Sequence, residues 1–342
     1  MPGHKLHPSY GNLSFDDDTC FLCGRSDEKL TLEHVFPKWL LRYFNLYNSK
    51  LTLLNRTLLP YRLLTIPCCP ECNGKHLSAL EDRVRNAVVE DKKLDSLTDL
   101  DLYLWLGKIF FGILRKEIIL KFNRSDPDSD PIFTKELLQS YENLHRFLQI
   151  IRGKYEIRDN GPFSVLRANL TKINDNRHFD FYDDFVSFVA GMRLDNQGVI
   201  VAFQDIGLSS DTYGKYLCEV GSRRLHPLQF EEVYAKVSYQ LSLMEFTPSF
   251  ITSTHVEGKE VGVINTIVPL SLSSPLPMSP WDQGEFAKRF YHHANRWMKM
   301  PIPFESFYHP PDLVRTWMTD ENGNLLLLTE EEWNQPPNNA VN

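Results

Sequence analysis

Cys20-Phe21-Leu22-Cys23 and Ile66-Pro67-Cys68-Cys69-Pro70-Glu71-Cys72-Asn73-Gly74-Lys75 bracket the stretch that decides the reading, Thr31-Leu32-Glu33-His34-Val35-Phe36-Pro37-Lys38-Trp39-Leu40. Five of the chain's six cysteines fall in this first quarter. Two C-x-x-C pairs tens of residues apart suit one tetrahedral zinc ion, because each short loop turns two thiolates to the same side. Cys20, Cys23, Cys69 and Cys72 are therefore the expected structural Zn²⁺ ligands. Buried or redox-active thiols are the alternative. Cys68 precedes a complete pair and reads as a small buried apolar residue, although a register using Cys68 in place of Cys69 stays open. Cys218 stands alone in apolar text and reads as core. A short segment of this kind has little core of its own, so metal binding would supply folding free energy.

The residues between the two pairs are those that phosphodiester hydrolysis requires. A neutral imidazole near pH 7 can take a proton from an attacking water, and His34 is of that type. A hard divalent ion, held by oxygen ligands with positions left open, can offset charge on phosphate; Glu33 and Asn73 are suitable ligands. Neighbouring residues on a regular strand face opposite ways, so Glu33 and His34 share a site only if the strand ends, twists or bulges there. Each residue has a plainer reading as well. Glu33-His34 can be a solvated surface pair, and Asn73 can cap a helix N-terminus. Glu81, two helical turns beyond Asn73, can reach a metal, orient His34, or sit in a surface ion pair. His76 is a further candidate ligand.

The ordered set resembles the HNH, or ββα-metal, endonucleases of the zinc-stapled type, which include phage endonuclease VII. The shared pattern is C-x-x-C, acid-His with a proline three residues later, then C-x-x-C-Asn and a helix ending near Leu80-Glu81. It covers roughly residues 19–89. The resemblance implies that His34 is the general base and that Glu33 and Asn73 coordinate a catalytic Mg²⁺ or Mn²⁺, with Glu81 in support. It also implies DNA as substrate, RNA being the alternative, and products with 5′-phosphate and 3′-hydroxyl ends. By analogy, such nucleases with large added regions serve restriction or phage defence. One departure stands out: Tyr61-Arg62-Leu63-Leu64-Thr65 carries no Asn where many members place their middle residue.

Charge agrees with that expectation. Residues 19–93 hold 12 Lys and Arg against 8 Asp and Glu, a local +4 in a chain whose net charge is −7, which leaves −11 for the rest. A basic module in an acidic protein is what contact with a phosphate backbone asks for. Lys38, Arg62 and Lys75 are the leading candidate contacts, followed by Arg42, Arg56, Arg83 and Arg85. Each of them can equally be a solvated surface charge.

Working outward, the sequence predicts an α+β chain in four parts: a zinc-containing HNH-like domain over residues 1–95, a helical segment over 96–155, a mainly antiparallel α+β domain over 156–334, and a disordered tail over 335–342. Ser96 to Phe122 and Thr134 to Gly153 read as helices with broad apolar faces. Phe163–Ala168, Val199–Phe203, Tyr213–Val220, Glu231–Ser242 and Glu260–Val268 read as β-rich runs, with helix around Asp183–Met192 and again over Gln283–Met300. The C-terminal region can bind DNA, recognise a trigger, or meet a protein partner or a second copy of the chain, and the sequence does not choose among these. Met1 to Ser14 has no apolar core, and Lys108, Arg115, Lys116 and Glu117 interrupt the apolar run at 102–120, so neither a secretory signal nor a membrane span is expected. A cytoplasmic protein with reduced thiols is the expectation.

Overall fold

The computed structural model describes residues 18–26, 29–91, 93–118, 126, 128–129, 132–133, 141–157, 162–172, 178–221, 223–253, 261–267, 277–297, 301–311, 313–319 and 326. The tail expected over 335–342 lies outside them, as do the first half of the helix expected from Thr134 and most of the loop over 123–131. The architecture is mixed α+β, with seven α-helices among the described residues and several antiparallel sheets. No described helix is long and apolar enough to cross a membrane.

Two compact units form: unit 1 is Met1–Gly161 with Ser249–Ile267, and unit 2 is Pro162–Pro248 with Val268–Asn342. The parts expected over residues 1–95 and 96–155 both fall within unit 1. The helical segment falls in unit 1, where its Lys108, Arg115 and Glu117 are buried.

In unit 1, β1 (Thr31–His34) pairs antiparallel with β4 (Thr65–Cys68), from Thr31 opposite Cys68 to His34 opposite Thr65. Between them lie α1 (Lys38–Tyr43), which starts after Pro37 as a residue with fixed φ allows, and a small hairpin of β2 (Lys50–Thr52) and β3 (Leu58–Pro60). After β4 the chain enters a continuous helical run over 72–90, of which α2 (Ser78–Arg85) is the regular middle, flanked by wider π-turns. The succession is β1, α1, the β2–β3 hairpin, β4 and then the helical run.

The 20-residue α3 (Asp99–Ile118) lies against this framework, buried on all sides from Leu102 to Arg115. Gly112 permits its close approach: a Cβ there would meet Val35 at 3.0 Å and Ile66 at 3.2 Å. Next comes α4 (Glu142–Leu148), followed by a 3₁₀ turn that ends at Gly153 with φ +66°, the left-handed stop the sequence predicts. β5 (Tyr155–Ile157) pairs parallel with β11 (Gly262–Ile267), which pairs antiparallel with β10 (Ser249–Ser253).

Unit 2 is an antiparallel sheet in the order β6-β9-β8-β7, built from β6 (Ser164–Asn169), β7 (Phe179–Asp184), β8 (Val189–Leu194) and β9 (Gln197–Ala202). Three sequence expectations are corrected here. Tyr213–Val220 lies in α5 (Leu208–Val220), Glu231–Ser242 lies in α6 (Pro227–Ser242), and Asp183–Met192 spans two strands of a hairpin. The period decides each case. Tyr213, Tyr216, Leu217 and Val220 recur at helical spacing, as do Val233, Tyr234, Val237 and Leu241, and both sets pack on the sheet. Pro227 at the first helical position and the His226–Gln229 capping box fix the start of α6. Gly198 lets α6 sit close, since a Cβ there would meet the Phe230 ring at 2.5 Å. Cys218, expected in the core, is exposed on α5. A second core joins α6 to α7 (Gln283–Asn295) through Leu228, Tyr239, Phe286 and Phe290.

Candidate metal centre and the residues around it

The four expected cysteines converge. One sulfur from each of Cys20, Cys23, Cys69 and Cys72 lies within 4.8 Å of the others, and all four side chains are buried. Tetrahedral Zn–S bonds near 2.3 Å put sulfurs roughly 3.8 Å apart; Cys23 and Cys69 are at 3.7 Å. The set can hold a metal such as zinc. Cys68 stands beside it, 4.0 Å from the Cys20 sulfur, on the last residue of β4 and outside the four. The backbone brings the pairs together: Phe21 N donates to Pro67 O at 2.9 Å, and Gly24, with φ +72°, turns the first loop.

Residues distant in sequence hold that first loop. Arg115 donates to Thr19 O and Oγ1 at 2.9 Å, the His145 ring meets Phe21 O at 3.0 Å, and Gln149 donates to Leu22 O at 2.6 Å. The three supports come from α3, α4 and the turn after it. Nothing in a local motif signals them; the only sign is polar residues within apolar helical text.

Glu33, His34, Asn73 and Glu81 take three separate positions. β1 runs in register without a bulge, so Thr31 and Glu33 share one face while Leu32 and His34 share the other. Thr31 accepts from Asn73 Nδ2 at 3.0 Å and donates to Cys68 O at 2.8 Å. Pro70 and Glu71 are already helical, so Asn73 lies inside the helical run and is not at its N-cap.

Glu33 is 8% exposed. Its Oε1 accepts from Lys108 Nζ at 2.6 Å, and the same ammonium donates to Glu81 Oε1 at 2.9 Å, His34 O at 2.7 Å and Val35 O at 3.1 Å. The structure thus brings Glu33 and Glu81 together, around a lysine from α3. Burial opposes the Lys108 charge, but Glu81 and Glu33 outweigh it and hold the ammonium above its ordinary range. Burial raises the Glu81 carboxyl, and Lys108 offsets part of that.

A divalent ion shared by Glu33 and Asn73 does not fit this arrangement, because an ammonium already holds the carboxylate and Asn73 is turned to Thr31. Among the described residues, the cysteine set is the single group of three or more His, Cys, Asp or Glu close enough to hold a metal.

The His34 ring is half-buried, and no described residue hydrogen-bonds to its nitrogens. Burial and then the nearby Lys38 charge press its pKa below the usual histidine value, with Lys108 adding to the effect. That direction favours the neutral imidazole. Lys38 and Lys75 are exposed. Arg62 bonds to Asn48 at 3.2 Å, and Arg83 is tied to Asp101 at 2.8 Å. His76, partly buried, lies 3.7 Å from Glu71.

Compared with protein-family models, with curated proteins and with solved structures, the chain matches none.

Proposed function

We propose that unit 1 carries a nucleic-acid phosphodiesterase module of the HNH type, with His34 as general base and DNA as substrate. One observation carries the proposal. The His34 imidazole, which no described residue hydrogen-bonds and whose pKa is pressed down by burial and Lys38, stands at the end of β1 beside the exposed Lys38, in a unit where the β1–β4 pair and the following helix meet four cysteine sulfurs. In the reaction His34 takes a proton from water, the water oxygen bonds to phosphorus, and the P–O3′ bond breaks. The 3′ oxygen leaves with the bond's electron pair and takes a proton from solvent, and His34 returns to solvent the proton it took from water. Lys38 attracts the phosphate and offsets its charge. The zinc is structural and takes no part in the bond changes.

The test is cleavage of plasmid DNA and of RNA by the full chain, with and without Mg²⁺ or Mn²⁺, comparing wild type with His34→Ala. Loss of a general base costs on the order of 10²–10⁴-fold, so His34→Ala should fall by that factor with its zinc content unchanged. Equal cutting by the two proteins removes His34 from the mechanism.

A second reading has its own support. The grip of Lys108 on Glu33 favours a module that binds nucleic acid without cutting it. It predicts salt-sensitive binding with no cleavage, unchanged in His34→Ala.

A further inference from the structure

We infer that the pocket formed by Glu33, Glu81 and the main-chain carbonyls of His34 and Val35 is a hard-cation site whose resident cation is the chain's own Lys108 ammonium. The inference goes beyond the proposed reaction and concerns the ion alone, so it stands or falls whether or not the module cuts nucleic acid.

Four oxygens surround one nitrogen at 2.6, 2.7, 2.9 and 3.1 Å. Two belong to carboxylates and two to adjacent carbonyls where β1 ends, which is the donor set that binds calcium, manganese or magnesium in proteins. The spacing is that of N–H···O bonds, longer than the roughly 2.0–2.6 Å of bonds from oxygen to such ions. Lys108 itself is fully buried, in the middle of a helix whose neighbours are apolar. An ammonium there is tolerable only because it is surrounded by charge and lone pairs. Two carboxylates so close likewise need a cation between them. The lysine meets both needs at once and leaves no room for an ion. It also ties down the main-chain carbonyl of His34.

The decisive measurement is Mn²⁺ binding by the zinc-loaded full chain, followed by the loss of the free Mn²⁺ electron paramagnetic resonance signal. Wild type should bind no Mn²⁺ that depends on Glu33. Lys108→Ala removes the ammonium and opens the cage, and should bind one Mn²⁺ per chain, at least tenfold more weakly when Glu33→Gln is added. A folded Lys108→Ala that binds none overturns the inference. So does a wild-type site that disappears in Glu33→Gln. Should Lys108→Ala not fold, thermal melts of wild type and Glu33→Gln in Mn²⁺ still decide: no difference between their responses supports the inference, and a rise in wild type alone overturns it.

Discussion

In unit 1 a single ammonium, that of Lys108, serves Glu33, Glu81 and two main-chain carbonyls, whereas in unit 2 the buried acids Asp180 and Glu231 draw on several donors each. Asp180 pairs with Arg193 at 2.7 Å and Arg296 at 2.8 Å. Glu231 accepts from Trp297 at 2.7 Å and Tyr182 at 2.8 Å, and meets His293 at 2.9 Å. Its burial, which would raise the carboxyl, is outweighed by His293 and Arg296, so its pKa lies below the ordinary value. The unit 2 network joins β7 and β8 to α6 and α7 with redundancy, because each of its two acids has more than one partner. The unit 1 cluster has one centre. Removal of a single partner should therefore be far more costly in unit 1 than in unit 2.

The largest effect should come from the cysteines. Structural zinc is worth on the order of 10 kcal/mol in small domains. Cys72→Ser should lose zinc and open β1, β4 and the 72–90 helix to hydrogen exchange, while the β6–β9 core of unit 2 keeps its protection. Zinc content and exchange mass spectrometry on the full chain check this. Full protection of β1 in the zinc-free variant would show that α3 and α4 alone hold the first loop.

Next in size is Lys108→Met, which keeps the volume and removes the charge. Breaking a buried ion pair by losing one partner costs about 3–5 kcal/mol, and here two carboxylates are left facing each other. Tyr182→Phe, in contrast, takes one donor from Glu231 and leaves Trp297, His293 and Arg296, so about 1 kcal/mol should go. Denaturant melts of the two variants measure the contrast. Equal losses would mean that the two clusters are built alike.

The contrast also explains what the sequence made legible. The cysteine set could be read from spacing, since a C-x-x-C loop constrains its own geometry. The paired strands and the helix beside it were implied only by the family resemblance, and no local run spells them out. Lys108 could not be read in this way: it meets Glu33 across 75 positions, and no local pattern records that contact. Its one trace was a charge inside apolar text, which argued against a membrane span; the same charge, with Arg115 and Glu117, proved to be buried. The expected Glu33–Asn73 pair failed because Lys108 holds Glu33 and Asn73 is turned to Thr31, whereas the alternation of β1 sets His34 on the face opposite Glu33. In unit 2, aromatic and β-branched content suggested strands at 213–220 and 231–242, but the helical spacing of those same residues prevailed, because the sheet beneath accepts one apolar stripe.

The smallest effect separates the imidazole from the cage. Lys38 is exposed and contributes little to stability, but its charge is the largest electrostatic influence holding His34 down, second only to burial. Lys38→Gln should therefore leave the melting temperature unchanged and move the His34 ring titration upward, as followed by NMR. The sign follows from repulsion: a nearby cation disfavours imidazolium, so its removal favours protonation. If His34 is the base, the acid limb of the cleavage profile moves to higher pH by the same amount, because the neutral form is then lost sooner as pH falls. An unchanged His34 titration would mean that solvent screens Lys38 from the ring, leaving burial and Lys108 to keep it neutral.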